Sequence, residues 1–253
     1  MYGAIIGDLA GSIYEYEQLK KIKPVRIKNI IEKNSFYSDD TILTIAVLEA
    51  VLNDKNYEKY LRDYIMKFSN YKPNFTPYFD TAFSKKTIEW SKQTANGTSK
   101  GNGAMMRISP IGYLFNNEED IINNAYLATV PSHNSKEAIT SATTIALMIY
   151  YFRNGMSKND VYKKLDIKLE YNPFTKFNTT CSETFGNCMY VLYNSNSFED
   201  AIRKTILMGG DTDTNGAIVG SVAEAMYGID EKLIEDANKK LPKKFVRLLE
   251  KTK

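Results

Sequence analysis

The segment from Thr41 to Leu52, TILTIAVLEAVL, is apolar round most of the circumference of a helix. A surface helix hides one apolar stripe, whereas a helix apolar on nearly every side has to be wrapped by others. The sequence therefore predicts a buried central helix here. Elsewhere apolar residues recur with the 3.6-residue period, and few stretches alternate as strands do. Further helices are predicted at Tyr57–Phe68, Ala82–Thr94, Glu118–Thr129, Ser135–Arg153, Ser157–Leu165, Glu183–Tyr193, Phe198–Met208, Thr214–Tyr227, Glu231–Lys239 and Lys243–Leu249. Asn70 to Asp80, with Pro73 and Pro77, reads as a loop. No linker, low-complexity tract or repeat period divides the chain, so residues 1–253 are read as one all-α domain.

Gly3, Gly7 and Gly11 would lie along one face of an N-terminal helix, and Gly216 and Gly220 repeat the spacing late in the chain. Each glycine costs a helix about 1 kcal/mol against alanine. A row of them marks the close approach of another backbone or of a ligand, and tight helix packing is the plainer of the two.

Two acidic clusters carry most of the chemical information: Ser38-Asp39-Asp40-Thr41 and Gly209-Gly210-Asp211-Thr212-Asp213-Thr214. Both offer hard oxygen ligands without thiolate or imidazole, a set that suits Mg²⁺ or Mn²⁺ rather than zinc or iron. Taken alone, the first is also an ordinary helix start, with Ser38 as N-cap and acids in the first turn. The second resembles the opening of a calcium loop but lacks the downstream ligands of an EF-hand. Both precede apolar helices, so their acids would sit at core depth, where an unpaired carboxylate is costly. Little basic charge lies nearby in sequence, and metal ions would supply the compensation.

Three further features are chemically suggestive. Glycines flanking Asn102 in Gly101-Asn102-Gly103 would let backbone N–H groups approach an anion, or simply form a turn. His133 is the only histidine; it is no zinc site and reads either as a ligand hydrogen bond or as a cap. Glu15, at the end of the glycine-faced helix, is on its own a surface charge.

The formal charge of +3 comes from 33 basic and 30 acidic residues, and the lysines are spread as on a solvated surface, not gathered into a nucleic-acid stripe. No apolar run approaches the roughly 20 residues of a membrane span. The N-terminus has no basic n-region, and Asp8 interrupts its apolar stretch, so no signal peptide is read. Cys181 and Cys188 form no disulfide framework. A reduced, cytoplasmic protein is expected.

The ordered motifs GAIIGDLAGSIYE, SDDT before an apolar helix, S-x-GNG-x-x-MR-x-SP-x-G, S-H-N and GGDTDT-x-GAI-x-GS-x-AEA-x-YG resemble the ADP-ribosylglycohydrolase family, from Gly3 to Gly228. The resemblance implies an orthogonal multi-helix domain with a binuclear Mg²⁺ or Mn²⁺ centre in a cleft, hydrolysing the C1″ bond of ADP-ribose attached to a protein side chain or another acceptor. It implies metal ligation by Ser38, Asp39, Asp40, Asp211, Asp213 and Thr214. Glu15 matches an acid on the loop covering the metals, and Asp39, Asp40 or Glu15 would activate water. Ser99, Gly101, Asn102 and Gly103 match the loop holding the diphosphate and distal ribose, and His133 a histidine lining that site. Ser38 stands where threonine is commoner, Lys100 where the family often has an aromatic, and no acid immediately precedes Gly101, which leaves arginine specificity open. The partners implied are an ADP-ribosylated protein or a small ADP-ribose conjugate, with nucleic acid only as an ADP-ribosylated substrate and a monomer by default. Two other readings stay open: a non-catalytic ADP-ribose-binding protein, and a Mg²⁺-dependent phosphohydrolase of nucleotide diphosphates.

Overall fold

A computed structural model describes residues 1–19, 26–73, 81–169 and 177–252, with side chains from 16 to 19 left aside. Among the described residues there are fourteen helices and no strand, only two isolated backbone bridges. No helix among them is long and apolar enough to cross a membrane.

The helix predicted from Thr41 is α2, Asp39–Leu52, and ten of its residues from Asp40 to Ala50 are buried. It starts two residues earlier than its apolar run because Ser38 caps it, accepting from the Asp40 N–H. Around it pack α1 (Gly3–Leu19), α3 (Tyr57–Lys67), α5 (Gly103–Met106), α6 (Ser109–Leu114), α12 (Thr212–Tyr227) and α14 (Lys243–Glu250). A second hub is α8 (Lys136–Arg153), which meets α7 (Glu118–Thr129), α9 (Lys158–Lys164), α10 (Cys181–Tyr193) and α12. The chain is completed by α4 (Lys85–Ser91), α11 (Phe198–Met208) and α13 (Glu231–Asn238). The buried apolar residues form one continuous core from Tyr2 to Leu249.

The glycine rows are a backbone-to-backbone contact. A Cβ on Gly3 would fall 2.1 Å from the Gly220 carbonyl oxygen, one on Gly7 1.9 Å from that of Gly216, and one on Gly11 2.1 Å from that of Thr212. Positions rising along α1 meet positions falling along α12, so the two helices run antiparallel. Glu224 of α12 fixes their register, accepting from the Gly3 N–H at 2.7 Å and the Tyr2 N–H at 3.2 Å at the N-terminus of α1.

Three expectations shift. Ala82–Thr94 shortens to α4, which starts where Ser84 accepts from the Thr87 N–H. Helices α5 and α6 were not predicted, because pieces of four and six residues are too short to show a period. The predicted loop 70–80 falls largely outside the described residues.

Candidate active site

Close packing of α1 on α12 brings their acids together. Asp8, one position after Gly7, is fully buried beside the first turn of α12, where Asp213 and Thr214 lie. Gly209 and Gly210, with φ of 88° and 79°, hold a left-handed backbone that L side chains adopt only with strain, and their turn delivers Asp211 to the same point. The start of α2 is tied to α1: Asp8 Oδ2 accepts from the Ser38 N–H at 2.9 Å, the Thr41 N–H at 3.1 Å and the Thr41 hydroxyl. Ser38 Oγ donates to Asp40 Oδ2 at 3.0 Å, and Thr214 Oγ1 donates to the same oxygen at 3.2 Å.

Two overlapping sets of carboxylates result. Oxygens of Asp8, Asp40 and Asp213 lie within 4.8 Å of one another, as do oxygens of Glu15, Asp211 and Asp213. Asp213 belongs to both sets and stands between them. Asp8 Oδ1 and Asp40 Oδ1 are buried without a hydrogen-bond partner among the described residues. An orphaned, buried carboxylate oxygen is costly, and a hard cation is the ligand whose chemistry matches such oxygens. The donor set therefore fits Mg²⁺ or Mn²⁺.

The electrostatics agree. Burial first, then repulsion from Asp213, pushes Asp8 up to about 7 and Asp39 up to about 8. The same causes hold Asp40, Glu15 and Asp211 well above the carboxylate range. Among the described residues a buried cation stands nearby, Arg107, whose charge opposes the rise at Asp39 and whose own pKa burial lowers to about 10. Arg107 is basic charge close to the acids in space though not in sequence.

Asp39, Glu15, Asp211, Asp213 and Thr214 face a cleft of about 840 Å³; Asp8, Asp40 and Ser38 lie behind them. Residues 97–103 form its other wall and are stitched on both sides. The Gly97 N–H donates to Pro131 O at 2.8 Å and the Ser99 N–H to Ser132 O at 3.2 Å, while the Asn102 N–H donates to Thr179 O at 2.8 Å. Two of the loop's amides are already engaged: the Gly101 N–H donates to Ser99 Oγ at 3.1 Å and the Asn102 N–H to Thr179 O at 2.8 Å. Asn102 acts through its side chain, donating from Nδ2 to Asp211 Oδ2 at 2.8 Å. Gly101 and Gly103 present bare faces beside the His133 ring, where a Cβ on Gly103 would stand 3.3 Å from Nε2. His133 caps no helix, since Ser135 caps α8.

The model of the ADP-ribosylglycohydrolase family matches residues 1–252. The chain belongs to the ADP-ribosylglycohydrolase family. Among its relatives, the "ADP-ribosylhydrolase ARH3" of Xenopus tropicalis is 21% identical, with 100% of this chain and 96% of that protein aligned. The "ADP-ribosylarginine hydrolase Tri1" of Serratia proteamaculans is 20% identical over 90% of this chain and 70% of its own length. A solved structure described as an "ADP-ribosylglycohydrolase-related protein complex" shares the fold with a TM-score of 0.67 at 18% identity, covering 97% of this chain and 89% of the other.

Within this family frame the structure brings Ser38, Asp39, Asp40, Asp211, Asp213, Thr214 and Glu15 into one locus, with Ser99, Gly101, Asn102, Gly103 and His133 along the facing wall. One placement differs from expectation: Glu15 sits within α1, not on a covering loop. The helix continues past Glu15 because nothing in IYEYEQL breaks it. Asp8 was missed; its signal was a lone acid inside an apolar, glycine-faced helix. Lys100 lines the cleft together with Phe83, Trp90 and Phe177.

Proposed function

We propose that the chain is a metal-dependent (ADP-ribosyl)hydrolase that cleaves the C1″ bond of ADP-ribose attached to a protein side chain or a small acceptor. The observation that carries this reading is the pair of carboxylate sets sharing Asp213, one of which, Glu15, Asp211 and Asp213, lines the cleft. Ser38, Asp40, Asp213 and Thr214, with Asp8, would hold one divalent cation, and Glu15, Asp211 and Asp213, with Asp39, a second. When bound, such cations supply Lewis-acid stabilisation and lower the pKa of water.

The protein's own residues do the rest. Asn102 holds Asp211 in orientation at 2.8 Å. Glu15 and Asp39, the acids of the cluster that are only partly buried, are open to the cleft and are placed to accept a proton from attacking water. Phe83, Trp90 and Phe177 supply apolar, aromatic lining for a base, and Lys86 and Lys100 supply charge for a diphosphate. The leaving group departs from an oxocarbenium-like C1″, which a carboxylate-rich floor stabilises. The continuous core and the extent of the family match support a single domain.

Product analysis separates this reading from its rivals. Incubation with an ADP-ribosylated protein and Mg²⁺ should release free ADP-ribose. AMP with ribose phosphate would identify a phosphohydrolase instead, and binding without product a reader.

A further inference from the structure

Arg107, Ser132 and His133 form a buried chain that ends at the cleft. Arg107, just past α5, is 2% exposed. Its Nη2 donates to Ser132 Oγ at 2.6 Å and to Ala128 O at 3.2 Å. Ser132 Oγ lies 2.7 Å from His133 Nδ1. An arginine has no acceptor atom, so the serine oxygen must accept from it. The serine hydroxyl has one proton to give, and donating it to His133 Nδ1, at 2.7 Å, leaves neither the hydroxyl proton nor that ring nitrogen unpaired. An Nδ1 that accepts carries no proton, which leaves the ring proton on Nε2. Nε2 lies on the side of Gly101 and Gly103, 3.3 Å from where a Cβ on Gly103 would stand.

We propose that Arg107 and Ser132 are positioning residues that lock His133 as its neutral Nε2–H tautomer, so that the ring presents one fixed hydrogen-bond donor to an acceptor oxygen of the ligand at the Gly101–Gly103 wall. Burial and the neighbouring Arg107 charge hold the ring's pKa well below the ordinary histidine value, which agrees with a neutral ring. The bridge between Thr98 and His133 fixes the backbone that carries it. A neutral donor adds no charge beside Arg107, and its direction is set before the ligand arrives, so little ordering is left for binding. That the ligand is an ADP-ribosyl group rests on the function proposed above; the tautomer does not.

His133 is the only histidine in the chain, so a ¹⁵N-histidine-labelled sample gives one imidazole spin system. In the ligand-free protein near neutral pH, Nδ1 should resonate as an unprotonated nitrogen and Nε2 as a protonated one. Ser132→Ala should shift both toward the averaged values of mixed tautomers. It should also raise KM for an ADP-ribosylated substrate about fivefold, the worth of one neutral hydrogen bond, with a smaller change in kcat. A protonated Nδ1 or an imidazolium in the wild-type protein would overturn the proposal, as would an unchanged spectrum in Ser132→Ala. Because the spectra need no substrate, their outcome is separate from whether ADP-ribose is released.

Discussion

Thr214 Oγ1 donates to Asp40 Oδ2 at 3.2 Å, joining two acidic segments that lie 174 residues apart in the chain. Either segment alone is a helix start with acid in its first turn. Their meeting is what makes a site, and it depends on how closely α1, α2 and α12 pack.

Gly7 is the tightest point of that packing. A Cβ there would meet the Gly216 carbonyl at 1.9 Å, and neither backbone can yield without separating the helices. Gly7→Ala should cost about 3 kcal/mol or more, at the upper end of overpacking effects, measured by urea denaturation. Tolerance of alanine within about 0.5 kcal/mol would show the helices to be further apart than described.

Asp8 tests the part of the site that motif reading missed. Its Oδ2 accepts three hydrogen bonds from the start of α2, and its buried Oδ1 has no hydrogen-bond partner among the described residues. Asp8→Asn places an amide where both oxygens are needed. Mn²⁺ affinity by titration calorimetry should fall about 10- to 100-fold, the range seen when groups around a metal are lost. Wild-type affinity in this variant would remove Asp8 from the metal site.

Asn102 is expected to act through Asp211. Asn102→Ala should lower kcat about tenfold or more by freeing that carboxylate, while circular dichroism stays helical. A variant changed in KM alone would make Asn102 a substrate contact and not a support of Asp211.

A pH dependence follows for the metal-free protein. Unfolded, Asp8 and Asp39 titrate near 3.8; folded, burial and mutual repulsion raise them to about 7 and about 8. A carboxyl raised on folding binds more protons in the native state. Its contribution is fully present below about 3.8 and is lost as pH rises through the folded values. In EDTA, Tm should therefore fall between about pH 5 and pH 8, and millimolar Mg²⁺ should restore it at pH 8 by binding the native state. A Tm that climbs over this window in EDTA would contradict the charge crowding described here.

Some of this was legible from the residues alone. The all-round apolarity of TILTIAVLEAVL announced the central helix, and the i, i+4 glycines announced a close helix contact. Asp8 was not legible, because an acid inside an apolar helix shows its purpose only when the partner helix is known. Arg107 was hidden for a related reason: it lies far in sequence from Asp39 and near it only in space. The amides of Gly101 and Asn102 looked available in sequence, yet they are taken by Ser99 and Thr179, partners that no local pattern specifies. Short α5 and α6 carry too few residues for a period.

On the function proposed above, the carboxylates grouped around Asp213 work through bound divalent cations. The direct measurement is release of ADP-ribose from a panel of ADP-ribosylated substrates by the wild-type protein and by Asp213→Asn, with Mg²⁺ or Mn²⁺ and with EDTA. Release by the wild type with cation, its loss in EDTA, its return on adding the metal back and its absence in Asp213→Asn are the predicted results. Full turnover in EDTA, or in Asp213→Asn, would contradict the account.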